Sequence, residues 1–87
     1  MPTKKPDWYV YILKCADNSL YTGITIDVER RIDEHNYNNK LAAKYTRARR
    51  PVKLVYQEKF KTRGLATKRE VEIKKLKRVE KKYLINQ

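Results

Sequence analysis

Two short runs rich in aromatic and β-branched residues, 8–15 (WYVYILKC) and 20–26 (LYTGITI), flank the turn-forming stretch ADNS at 16–19. Strand formers so close together dictate a β-hairpin, because Asp and Asn tolerate left-handed backbone and bond their own amides. The loop count fixes which side chains share a face. An odd number of loop residues, such as Asp17, Asn18 and Ser19, places Tyr11 and Tyr21 on the same face, and a two-residue loop places them on opposite faces. Gly23, inside the second run, marks a bulge or a point where another group approaches the backbone closely.

The rest of the chain adds helices and one more strand. Asp27 is a good N-cap, and Val28 with Ile32 gives the apolar stripe of a helix over about 28–36. Residues 37–51 read as irregular and basic, with a helical turn near 41–44, and residues 52–59 (VKLVYQEK) as a third strand. A helix over 63–78 places Leu65, Ala66, Ile73 and Leu76 on one side, and a last helix over about 79–86 is expected to bury Val79, Tyr83 and Leu84. The predicted fold is α+β: a three-stranded antiparallel sheet flanked by helices, in the order ββαβαα. Residues 1–7 (MPTKKPD) are expected to form a disordered lead-in to one domain over 8–87.

With 87 residues and an apolar fraction of 40%, the chain can bury one small core and has little stability to spare. The net charge of +12 is lopsided: residues 1–43 hold six Lys/Arg and six Asp/Glu, residues 44–87 sixteen against four. Such a field favours a polyanion, since each neutralised phosphate releases condensed counterions. An anionic membrane surface fits less well, because only the C-terminal stretch approaches a basic amphipathic helix. One cysteine, Cys15, excludes an intrachain disulfide and a thiolate metal site, and a small core residue is its expected role. No run is long enough to span a membrane and no apolar segment follows the basic N-terminus, so a cytoplasmic location is expected.

Four sets of residues could carry chemistry. Tyr9, Tyr11 and Tyr21 lie in or beside the hairpin, where any one tyrosine most simply fills a strand face. Arg31 and His35, spaced i, i+4, share a helix face, with Asp33 and Glu34 as ordinary ion-pair partners. Glu70 and Glu72 flank the buried stripe of the later helix, and periodicity does not choose between them. A carboxylate there could hold a hard divalent cation beside a phosphate. The densest binding signal is KYTRARRPVK at 44–53, which places Lys44, Arg47, Arg49, Arg50 and Lys53 around Tyr45 and Thr46. Only Gly23 and Gly64 exist, so there is no glycine-rich phosphate loop, and one Cys with one His makes no zinc site.

The tripeptides YVY at 9–11 and YTG at 21–23 resemble the pair that names the GIY-YIG nuclease superfamily. The ten-residue steps from Tyr11 to Tyr21 and from Tyr21 to Arg31 fit its spacing, followed by His35 and a later helical glutamate. The stretches LKCADNSLYTGIT, DVERR and AKYTRARRPVKLVY, with the A-x-x-x-E-x-x-I-K-K-L pattern of 66–76, resemble the small stand-alone bacterial members from about Trp8 to Ile85.

This resemblance implies a DNA endonuclease that hydrolyses phosphodiester bonds with Mg²⁺ or Mn²⁺, selective for branched, nicked or single-stranded DNA, as suits DNA repair. Tyr21 would activate the attacking water, Tyr11 would position it or the phosphate, and Arg31 would neutralise phosphoryl charge. His35 would hydrogen-bond the tyrosine, the water or the phosphate, and Glu70 would hold the metal. Lys44, Tyr45, Arg47, Arg49, Arg50 and Lys53 would meet the nucleic acid, DNA first, with RNA left open. With no added DNA-binding domain in view, a protein partner supplying specificity is a further expectation. The asparagine that many active relatives carry in the last helix has only Asn86 near it, and no role is carried to that residue. The alternative function is a non-catalytic nucleic-acid-binding module on the same scaffold.

Overall fold

A computed structural model describes residues 5–87. Strands β1 (Trp8–Lys14) and β2 (Leu20–Thr25) form the hairpin, followed by helices α1 (Val28–Tyr37) and α2 (Lys44–Arg47), strand β3 (Lys53–Phe60), and helices α3 (Arg63–Lys74) and α4 (Arg78–Ile85). The sheet is antiparallel in the order β2-β1-β3, so β1 is central and β2 is an edge. The architecture is the predicted one, with the extra helical turn three residues later than expected, at Lys44–Arg47 rather than 41–44. Of the expected lead-in, residues 1–4 lie outside the described residues and 5–7 carry no regular element.

The hairpin loop has the odd count that aligns its tyrosines. Lys14 pairs with Leu20, Leu13 with Tyr21 and Tyr11 with Gly23, so Tyr11, Leu13, Tyr21 and Gly23 share a face. Asn18 takes the left-handed conformation (φ 69°), and Asp17 Oδ1 accepts the Ser19 N–H at 3.0 Å, closing the turn. Asp27 caps α1 by accepting the Arg30 N–H at 3.1 Å, and Thr62 caps α3 through the Leu65 N–H at 3.2 Å.

Each face of the sheet has its own core. Val10 and Ile12 are sealed against Ala66 and Ile73 of α3, with Leu84 and Ile85 of α4 beside them. Tyr11, Leu13 and Cys15 pack with Val52 on the α1 face, flanked by Tyr21, Ile32 and Leu54. Each fully buried Val, Ile or Leu contributes roughly 1.5–3 kcal/mol, so the two clusters carry most of the fold.

Of the three residues expected to be buried on helix α4, only Leu84 packs against the core. Val79 and Tyr83 are 70% and 74% exposed, and Leu84 with Ile85 makes the core contact. The preceding helix stops at Lys74 rather than 78, and Glu80 accepts the Lys77 N–H at 2.8 Å to start a new one. That restart re-aims the apolar positions: residues 79 and 83, one turn apart, fall together on the outward side. Leu65 is likewise exposed (51%), because Ala66 and Ile73 already fill the contact with the sheet.

Candidate active site

The phenol of Tyr11 is the centre of the site. Its side chain leaves β1 on the α1 face and lies across Gly23 of β2, where an added Cβ would fall 2.5 Å from its Oη. Gly23 is therefore a point of close approach, one of the two roles expected of it. The Tyr11 hydroxyl meets His35 Nε2 at 2.9 Å, and His35 Nδ1 meets Thr46 Oγ1 at 2.7 Å. Thr46 donates its own hydrogen to the Ala43 carbonyl at 3.0 Å, so it accepts from Nδ1–H, and Nε2 accepts from Tyr11. The Ala43 N–H, 3.5 Å from Nδ1, is too distant to compete. The result is a directed chain from Tyr11 through His35 and Thr46 to the backbone.

Tyr11, His35 and Thr46 are each no more than 1% exposed. Burial pushes the Tyr11 phenol up to about 12, with Tyr21 and Glu70 adding to the rise and Arg31 working against it. Burial first, then the charge of Arg31, lowers His35 to about 4, so the imidazole is neutral at pH 7. His35 touches the tyrosine, as one of its three expected partners, and its burial keeps it from water and phosphate.

The neutral imidazole gives a pH prediction. An unfolded His35 takes up a proton near 6.5 while the folded one resists down to about 4, so over that window the unfolded state binds more protons. Stability therefore falls as pH drops from about 6.5 toward 4, by up to about 3 kcal/mol. Urea unfolding at pH 7.5 and pH 5 reads this slope. An equal slope in His35→Gln would show that other groups cause it.

Arg31 lies beside the Tyr11 phenol, and Glu70 acts on it only weakly and from farther off. Arg31 is the more buried of the adjacent arginines, its side chain 24% exposed against 57% for Arg30. Its Nη1 donates to Glu34 Oε1 at 2.9 Å and to the Leu41 carbonyl at 2.7 Å, which leaves Nε and Nη2 outside these bonds. Burial works against the Arg31 charge, but the bonds to Glu34 and Tyr11 outweigh it and hold the guanidinium above its usual range. Glu70 lies on α3, over the opposite face of the sheet, and still acts on the Tyr11 phenol. Of the two glutamates periodicity left open, Glu70 turns inward (18% exposed, paired with Lys74 at 3.2 Å) and Glu72 outward (54%, paired with Arg69 at 3.4 Å).

A single carboxylate suits a hard cation that keeps its waters and shares phosphate oxygens, as Mg²⁺ does, while the Arg31 guanidinium suits the phosphate itself. Among the described residues no cluster of three or more His, Cys, Asp and Glu forms a complete protein cage. Of the two glutamates, the inward-turned Glu70 is the one whose chemistry suits such an ion.

Tyr21 is half-buried at the rim. Its ring lies 5.2 Å from His35 and 6.4 Å from Tyr11, and stacks on Tyr45 at 6.0 Å. The Arg49 guanidinium sits 3.8 Å over the Tyr45 ring and bonds Asp17 at 3.1 Å.

The basic run divides. Tyr45 and Arg49 stand beside Tyr21, whereas Arg47 donates to the Asn39 carbonyl at 2.8 Å. Arg50 turns inward, its Nε donating to the His35 carbonyl at 2.7 Å and its Nη1 to Asn39 at 2.8 Å. Lys53 points to the α4 face, beside Lys14. Two residues that sequence reasoning did not single out complete the scaffold. Thr46 orients His35, and Asn36 bonds both the N–H and the carbonyl of Val52, at 2.8 and 2.9 Å, splinting α1 to the entry of β3. A polar side chain at the inner end of a helix face was the only signal for Asn36.

The fold and this constellation define a GIY-YIG catalytic domain, whose family model matches residues 7–83, and the chain belongs to the GIY-YIG family. Among its relatives are proteins named UPF0213. The one from Desulfotalea psychrophila is 53% identical over 83 residues, 95% of this chain and 74% of that protein. The one from Staphylococcus saprophyticus is 56% identical over 79 residues, 91% of this chain and 94% of that protein. The solution structure of a protein from E. faecalis superposes with a TM-score of 0.61 at 46% identity, covering 93% of this chain and 85% of that one. No helix among the described residues is long and apolar enough to cross a membrane.

Proposed function

We infer that this chain is a metal-dependent DNA endonuclease that hydrolyses phosphodiester bonds. The observation that carries the inference is the buried Tyr11–His35–Thr46 chain with Arg31 and Tyr21 beside its phenol. A core this small does not bury a neutral histidine and a phenol bonded to it without a use for their placement.

The roles follow exposure. Tyr21, Arg31 and Glu70 present atoms to a ligand, whereas Tyr11 and His35 are sealed and act as positioning residues. Tyr11 keeps its proton at neutral pH, donates it to His35 and keeps its oxygen beside the Arg31 guanidinium. Arg31, anchored to Leu41 and Glu34, offers charge to the phosphoryl oxygens, where developing negative charge is best stabilised by groups already in place. The Tyr21 hydroxyl orients the attacking water and takes part in its deprotonation. Glu70 would hold Mg²⁺ or Mn²⁺, which supplies Lewis acidity toward the phosphate. Tyr45, with Arg49 over its ring, offers a base a stacking surface flanked by Lys44 and Arg47.

Selectivity for branched, nicked or single-stranded DNA suits a surface too small to read many base pairs, and it suits repair. A protein partner would supply any longer recognition. The second reading, a binding module without catalysis, is favoured by the Tyr21–Tyr45–Arg49 stack alone.

A plasmid-nicking assay with Mg²⁺ or Mn²⁺ separates the two. The wild type is expected to nick and Glu70→Ala to lose nicking while still binding DNA. Equal binding with no nicking by either protein would leave only the module.

A further inference from the structure

A second basic surface lies on the opposite side of the sheet. Lys14, Lys53, Arg78 and Lys82 line an open hollow of about 560 Å³, with no acidic residue among its lining. None of the four takes part in an ion pair among the described residues. Lys14 and Lys53 are directly opposite in the β1–β3 ladder, so their side chains leave the same face as neighbours. Like charges so placed destabilise a sheet unless an anion lies between them. Arg78 is already oriented, its Nη2 donating to the Asn18 carbonyl at 2.7 Å. Asn18 and Asn86 add amides at the rim, and Leu20, Val55 and Ile85 give an apolar floor of the kind a sugar can rest on.

We propose that this hollow holds a second segment of nucleic-acid backbone, apart from the strand at Tyr21 and Arg31 on the α1 face. The hairpin tip joins the two surfaces. Its turn is clamped by Arg49 through Asp17 on one side and by Arg78 through the Asn18 carbonyl on the other. The two surfaces lie on opposite faces of the sheet, so a branched molecule straddling the tip would place one arm on each. The proposal deepens the reading of the chain as a DNA endonuclease by assigning branched DNA as its substrate class.

The test measures binding alone, in a Glu70→Ala background, so the outcome of the cleavage assay does not enter it. Fluorescence anisotropy compares a labelled three-way DNA junction with one of its single strands, for the parent and for Lys14→Gln/Lys82→Gln. Junction affinity is expected to fall at least about tenfold, and its salt slope by about 2, near one unit per lost phosphate contact. Single-strand affinity is expected to hold. Lys61→Gln/Lys68→Gln removes the same charge from exposed positions elsewhere and is expected to change neither. Thermal melting confirms that each variant is folded. Unchanged junction affinity, an equal loss for both probes, or an equal loss in the control pair would overturn the proposal.

Discussion

Arg31→Ala is expected to slow DNA cleavage by about 10²–10³ while costing only about 1–2 kcal/mol of stability. The two effects differ because the side chain does two unequal things. Its bonds to Glu34 and the Leu41 carbonyl are partly exposed, and water replaces them at modest cost. The charge it offers a phosphoryl group has no replacement, since its neighbours Tyr11 and His35 are both neutral at pH 7. Single-turnover cleavage and thermal melting on the same preparation read both numbers. Arg30→Ala, on the exposed side of α1, serves as the matched control and is expected to cleave like the wild type. A variant at Arg31 that cleaves normally would remove this residue from the site.

Gly23→Ala is expected to be the most damaging single methyl group that can be added to the chain. The new Cβ would sit 2.5 Å from Tyr11 Oη and 2.7 Å from Cζ, and the ring, 1% exposed, has no open space to move into. Overpacking costs about 1–3 kcal/mol, and a broken buried bond to His35 a comparable amount. Together they predict a loss of about 3 kcal/mol, with cleavage falling at least about tenfold as Tyr11 leaves Arg31. Gly64→Ala is the contrasting case. At the first turn of α3 its Cβ would meet nothing closer than Thr62 Oγ1 at 4.0 Å, so it should be neutral or stabilising. Chemical denaturation of both variants decides the matter, and a Gly23→Ala protein as stable as its parent would refute the packing account.

Much of this was readable from local chemistry. Local chemistry tied the face of Tyr11 and Tyr21 to the parity of the loop, which the pairing register then showed to be odd, and Asp27 announced α1, because turns and caps depend on a few neighbouring residues. Contacts across the fold were less readable. Thr46 sits in a run of cations, and nothing nearby shows that its hydroxyl reaches His35 eleven residues earlier. In the same run, charge density pointed to an anionic partner but not to where each side chain turns. The chain passes from loop to strand there, so Arg50 and Lys53 leave it in different directions. The α4 face was misassigned because an eight-residue helix with Val79, Tyr83, Leu84 and Ile85 offers two apolar stripes, and only its packing against β1 selects one.

The ring of Tyr11 is at once a wall of the apolar interior and a support of the reaction centre. This chain cannot loosen one without loosening the other, so adaptation to new substrates must work at the periphery. Tyr45, Arg49 and the cations beside Lys14 can be exchanged without touching that ring.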